Sequence, residues 1–155
     1  MLTSTSVDYG AAVYGTSLPP GLGLQAGMVV QDPNGDHYRQ LVINGSGGSL
    51  SAAAGDALTW SAASTYTVTT TSAIQQKVVG VNDLSNATVV NNGYFWMTIQ
   101  GQCKVKTTGT PSSGTLLVTT ATTGTLGAVS TNVTSCDLVA TAATVSGTNA
   151  AWLGI

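Results

Sequence analysis

No segment of this chain repeats apolar residues every 3.6 positions between helix caps. What recurs is a short β-branched run stopped by glycine. Thr67-Val68-Thr69-Thr70-Thr71 is the clearest run. Thr and Val carry two heavy atoms on Cβ, which suits a pleated strand and disfavours a helix. Short strands separated by Gly-containing turns predict an all-β fold: a compact β-sandwich or β-barrel-like domain of short antiparallel strands.

The punctuation supports the same class. Met28-Val29-Val30-Gln31, the turn Asp32-Pro33-Asn34-Gly35-Asp36 and the return strand from His37 to Ile43 read as a hairpin, because Asn-Gly tolerates positive φ. Tyr38, Leu41 and Ile43 are the expected inward side chains. Further strands are expected at 58–60, 65–71, 76–82, 94–99, 104–106 and 116–118, with several more in 126–155. Ala26-Gly27-Met28-Val29-Val30, Ala54-Gly55-Asp56-Ala57-Leu58 and Ser113-Gly114-Thr115-Leu116-Leu117 share a small–Gly–x–apolar–apolar form. A glycine there lets the chain turn sharply into a strand.

Residues 1–24 lack this pattern and contain Pro19-Pro20, which favours an extended path. They read as an extended N-terminal arm ahead of a β domain at 25–155. Val7, Tyr9, Val13, Tyr14 and Leu18 are its candidate docking residues, since a solvated tail has no use for them. The Thr/Ala-rich stretch 121–155 either completes the domain or forms a distal sub-lobe.

Charge narrows the function. Asp, Glu, Lys and Arg make up 6% of the chain, against about 25% in ordinary globular proteins. Glu is absent, and the cations are Arg39, Lys77, Lys104 and Lys106. A net charge of −2 offers nothing to replace phosphate counterions, so nucleic acid is not an expected partner. A surface of Thr, Ser, Asn and Gly is poorly protected against association. That is a liability in a free monomer and no liability in a subunit of an assembly.

Catalytic and metal-binding patterns do not assemble. The single histidine, His37, lies in the hairpin, and no GxSxG elbow accompanies it. Asp32, Asn34 and Asp36 start like a calcium loop, but His37 and Ile43 stand where Gly and Glu are required. No P-loop or GxGxxG is present. The expectation is a protein that is not an enzyme and takes no cofactor or metal. Cys103 and Cys136 read as buried thiols or as a bridge. Asn44-Gly45-Ser46, Asn86-Ala87-Thr88 and Asn132-Val133-Thr134 match the glycosylation pattern, as expected by chance in a chain this rich in Asn, Ser and Thr. Met1-Leu2-Thr3-Ser4-Thr5-Ser6 has neither the basic nor the apolar region of a signal peptide, and no apolar run has the length of a membrane span. The chain is therefore expected to be made in a cytoplasm and to have no membrane partner.

Tyr94-Phe95-Trp96-Met97 opens the most aromatic strand. Alternation puts Tyr94 and Trp96 on one face and Phe95 and Met97 on the other. Both faces are apolar, as in a strand covered by a core on one side and a neighbour or subunit on the other. These four residues are the candidate core or subunit interface. Trp60, Tyr94, Phe95, Trp96 and Trp152 also allow a sugar-binding surface.

Three stretches carry a resemblance: Val79-Gly80-Val81-Asn82-Asp83, then Asn92-Gly93-Tyr94-Phe95-Trp96-Met97-Thr98-Ile99-Gln100-Gly101, then Ser113-Gly114-Thr115-Leu116-Leu117. With the hairpin element Pro33-Asn34-Gly35-Asp36-His37-Tyr38-Arg39, they resemble the head-decoration, or capsid cement, proteins of tailed bacteriophages over roughly residues 26–120. The resemblance implies a β-rich homotrimer on the outer surface of the virion capsid, at three-fold or quasi-three-fold positions, with the major capsid protein as partner and capsid stabilisation as its role. It also implies an N-terminal arm laid along the capsid. The alternative is a fibre-like or carbohydrate-binding module contacting host surfaces.

Overall fold

A computed structural model describes residues 13–31, 37–50, 55–74, 76–82 and 88–129, together with the backbone of 138–140 and 148–153. The fold is all-β. The strands, in chain order, are β1 (Val13–Tyr14), β2 (Val29–Gln31), β3 (His37–Asn44), β4 (Asp56–Ala62), β5 (Thr67–Thr70), β6 (Gly80–Asn82), β7 (Tyr94–Lys106), β8 (Leu116–Thr119), β9 (Leu126–Ala128), β10 (Leu138–Ala140) and β11 (Thr148–Leu153). A 3-10 turn, Ala63–Thr65, joins β4 to β5.

Five strands close a ring. β3 pairs with β7, β7 with β6, β6 with β4, β4 with β5, and β5 returns to β3. The closing β3–β5 contact is parallel, unlike the antiparallel strands expected from the sequence. Its register sets Ile43 against Thr67 and Asn44 against Val68. Closure removes the free edges that an open sheet of this size would carry. Val42, Leu58, Val68, Phe95 and Met97 fill a first core with Leu50, Val79 and Val89.

The expected strands at 94–99 and 104–106 are one strand of 13 residues. Gly101 between them, with φ of 105°, does not end the strand. Its second half pairs with β11, and the pairing runs on through β10 and β8 to β9. A parallel bridge from Thr107 to Leu126 brings β9 back to the end of β7. A second core gathers Cys103, Val105, Leu117 and Leu126 with Ala57, Val78 and Val81. β8, β9 and the second half of β7, parts of the same continuous sheet, thus pack against residues of the ring's β4 and β6.

A bulge in β7 explains how one strand serves both cores. Gln100 faces Tyr38 and Thr98 faces Arg39, so Ile99 is left without a partner in β3. An extra residue of this kind exchanges the faces of the strand beyond it. Before the bulge, Phe95 and Met97 point into the first core while Trp96 and Thr98 take the opposite face. After it, Cys103 and Val105 continue the face of Trp96 and Thr98, and there they join the second core.

The hairpin strands pair as expected, with Val29 opposite Gln40 and Gln31 opposite Tyr38; the turn at 32–36 lies outside the described residues. The inward set differs from the expectation. Leu41 is buried and Ile43 half-buried, but Tyr38 is exposed at the rim, and Val42 supplies the first core. β3 is buried on two faces along its second half, so period-two alternation selects no single inward row. The corner glycines behave as expected: Gly27, Gly55 and Gly114 all have positive φ, at 89°, 118° and 83°.

Asn44 ends β3 and organises the loops around it. Its Nδ2 donates to the carbonyls of Gly48, Val89 and Val90 at 2.9, 3.0 and 3.1 Å, and its Oδ1 accepts from the Ser46 N–H. Its side chain is fully buried, so the glycosylation pattern at Asn44 is unavailable in the folded protein. Asn86 and Asn132 lie outside the described residues, as does Cys136; Cys103 is buried.

Candidate functional site

The candidate core or interface residues lie in the first half of β7. Phe95, Trp96 and Met97 are wholly buried, and Tyr94 is half-buried. Phe95 and Met97 are core residues. Trp96 lies opposite Leu41 on the other face, equally shielded. Both faces of the strand are therefore covered within one chain. Tyr94 is the member of the quartet that reaches the surface.

Of the arm residues, Val7 and Tyr9 lie outside the described residues. Val13 and Tyr14 form β1, which pairs antiparallel with β7, Val13 opposite Phe95 and Tyr14 opposite Tyr94. Val13 packs against the first core. The backbone seat is closed by the Tyr94 N–H, which donates to the Gly15 carbonyl at 3.2 Å. Leu18 is half-buried. The segment therefore adds a strand to the aromatic strand of its own chain, the same hydrogen-bonding mode by which an extended peptide adds to a sheet edge.

Exposed apolar side chains occur on and near β2. Leu22, Met28, Val29 and Tyr38 are all exposed, Val29 at 49%. β2 pairs with β3 alone among the described strands. A short edge strand with apolar side chains in water is a usual place for a second chain to add.

A second aromatic feature sits at the β4–β5 connection. Trp60 and Tyr66 meet edge to face with ring centroids 6.3 Å apart, a favoured geometry for aromatic pairs. Tyr66 has a left-handed backbone, φ 55°, and its ring lies over Gly27, where a Cβ would come within 2.4 Å of it. Tyr66 is exposed and Trp60 half-buried. Tyr66 falls in the stretch 65–71 expected as a strand, but it is the left-handed residue that ends the 3-10 turn Ala63–Thr65. Trp152 lies in β11, opposite Gln102.

The charged groups are dispersed. Lys106 pairs with Asp56 across the junction of the two cores, while Lys77 and Lys104 are exposed. His37 is half-buried at the start of β3, opposite Gly101. Among the described residues, no three His, Cys, Asp or Glu side chains are grouped to hold a metal ion. No helix among them is long and apolar enough to cross a membrane. No protein-family model matches the sequence, and no curated protein matches it.

Proposed function

We propose that this protein is a structural subunit that binds the outer surface of a tailed-phage capsid and stabilises the shell, acting as a homotrimer with the major capsid protein as its partner. The observation that carries the reading is the seating of the N-terminal segment. Val13–Tyr14 adds a strand to β7 at Phe95 and Tyr94, within the aromatic stretch that resembles the decoration proteins. In this reading residues 1–12, which precede the strand, are the part of the arm that contacts the capsid. Scarce charge and the exposed apolar residues at β2 suit the same role, because each weak contact is repeated by symmetry and a trimer raises the effective concentration of each arm.

The arm reading is tested by deletion. Removing residues 1–12 spares β1, whereas removing 1–20 strips Val13 from the first core. The expected result for the 1–12 deletion is an intact β fold and trimer with weakened binding to expanded capsids. Capsid binding equal to that of the full chain refutes the arm's role. The full chain is expected to bind expanded capsids and not procapsids.

A second reading, a module that binds carbohydrate on a host surface, is favoured by the Trp60–Tyr66 pair. Aromatic rings at a surface offer the apolar platform a sugar ring needs. A glycan-array signal lost on Trp60→Ala and Tyr66→Ala supports this reading, and absence of any signal from the full chain removes it.

A further inference from the structure

Gly55, the corner glycine before β4, brings three strands together. Its N–H donates to the Asn82 carbonyl of β6 at 2.7 Å, and its carbonyl accepts from the Lys106 N–H of β7 at 2.8 Å. With φ of 118° and room for no side chain, since a Cβ would lie 2.8 Å from the Lys106 nitrogen, the position needs glycine. The next residue, Asp56, stands directly opposite Asn82 in the β4–β6 ladder. Residues paired in this way project to one face, with Cβ atoms about 4.5–5.5 Å apart. Lys106 Nζ donates to Asp56 Oδ1 at 2.5 Å. An amine, a carboxylate and a carboxamide thus converge from three strands.

The surroundings restrict what these groups can meet. Asn82 is wholly buried and the Asp56 side chain nearly so. Gly124 closes one side of the carboxylate, since a Cβ on it would fall 2.5 Å from Oδ1. Lys106 is half-buried, so a small molecule released here has a way out along its stem. A lysine amine is a good nucleophile once it has given up a proton, and a carboxylate in contact with it is the base that takes the proton. Holding the three groups in place supplies the effective concentration that an unactivated amide needs in order to react.

We propose that Lys106 and Asn82 join in an intramolecular amide bond, with Asp56 carrying the protons. The newly folded chain holds the Lys106–Asp56 ion pair, and the bond forms from it. The ammonium passes a proton to Asp56, and the freed lone pair on Nζ attacks Asn82 Cγ. A C–N bond forms and the carbonyl electron pair moves onto Oδ1. As the carbonyl re-forms, the Cγ–Nδ2 bond breaks. Asp56 hands its proton to Nδ2, which leaves as ammonia, and takes a second proton from Nζ. It ends as a neutral acid beside the new amide, and nothing is oxidised or reduced. The bond ties β6 to the far end of β7 at the junction of the two cores. It does not depend on the capsid reading.

The test is the intact mass of the full chain, followed after refolding until it is constant, and then a tryptic map under reducing conditions. The wild type is expected to lose about 17 Da, the mass of the ammonia released. Its map is expected to contain a branched peptide in which Lys106 resists trypsin and carries the peptide holding Asn82. Lys106→Arg is expected to keep its full sequence mass. Asp56→Ala, which keeps both reacting groups, is expected to form the bond at least about a hundredfold more slowly. A folded wild type that keeps its full sequence mass overturns the proposal. So does the same loss persisting in Lys106→Arg, which marks a succinimide at an Asn-Gly pair. Loss of water in place of ammonia, with the branch at Asp56, overturns the assignment to Asn82. A rate unchanged in Asp56→Ala overturns the proton-carrying role. The wild-type mass and map decide the bond even where a variant does not fold.

Discussion

Replacing Asn44 with Ala tests how the first ring is closed at its loop end. The Asn44 amide has two hydrogens shared among the carbonyls of Gly48, Val89 and Val90, and its oxygen accepts from Ser46. Each of the three carbonyls keeps another donor after the change: the Ser46 hydroxyl for Gly48, the Leu50 N–H for Val89 and the Gly93 N–H for Val90. No carbonyl is orphaned, so the loss is that of roughly three ordinary hydrogen bonds at about 1 kcal/mol each, or ~2–3 kcal/mol in all. Asn44→Asp separates the donor from the shape. At neutral pH it aims a carboxylate at the same three carbonyls and is expected to cost more than Ala. Its carboxyl is then held above the ordinary carboxylate range in the folded state. The variant's stability is therefore greatest at acid pH, relative to wild type, and is lost as pH rises through the folded-state value. Urea unfolding followed by fluorescence of the buried Trp96 measures both. A cost below about 1 kcal/mol for Ala, or an Asp variant as stable as Ala at neutral pH, refutes this account of Asn44.

Other outcomes follow from the packing. Gly80→Ala is expected to cost about 1–3 kcal/mol by overpacking, because its Cβ would lie 2.5 Å from Met97 Sδ and 2.9 Å from the Thr98 carbonyl oxygen; denaturant midpoints check this. Phe95→Ala, at the centre of the first core, is expected to cost about 3–5 kcal/mol by the same measurement. Lys106→Met leaves the Asp56 carboxylate, 8% exposed, without its cation. Because Lys106 itself is 31% exposed, the expected loss at neutral pH is only about 1–2 kcal/mol, and the double variant with Asp56→Asn should recover part of it.

The fold class was legible because the relevant signals are local. Thr67–Thr70 is a strand for the reason its β-branched residues suggest, and the corner glycines at 27, 55 and 114 carry the positive φ their shared motif implies. The closed ring was not legible. It depends on a parallel contact between Ile43 and Thr67, two residues brought together by the whole intervening chain. The joining of 94–99 to 104–106 was missed because Gly101 reads as a breaker, whereas its partners in β3 and β11 hold it in the ladder. Alternation correctly made both faces of Tyr94–Met97 apolar, but could not reveal that the Ile99 bulge turns the second face toward a second core. Nothing in the sequence distinguishes Arg39, which is 7% exposed, from the other cations. Its burial appears only when Thr98 and Leu41 flank it in three dimensions. Tyr66 left no signal beyond its aromatic ring.

The most direct test of the central claim is imaging of expanded phage capsids with and without the purified full chain. The account predicts added density on the outer surface at three-fold or quasi-three-fold positions, each feature matching three copies of the 15.5 kDa chain. A shell that looks the same with and without the protein, under conditions where the protein is folded, contradicts it.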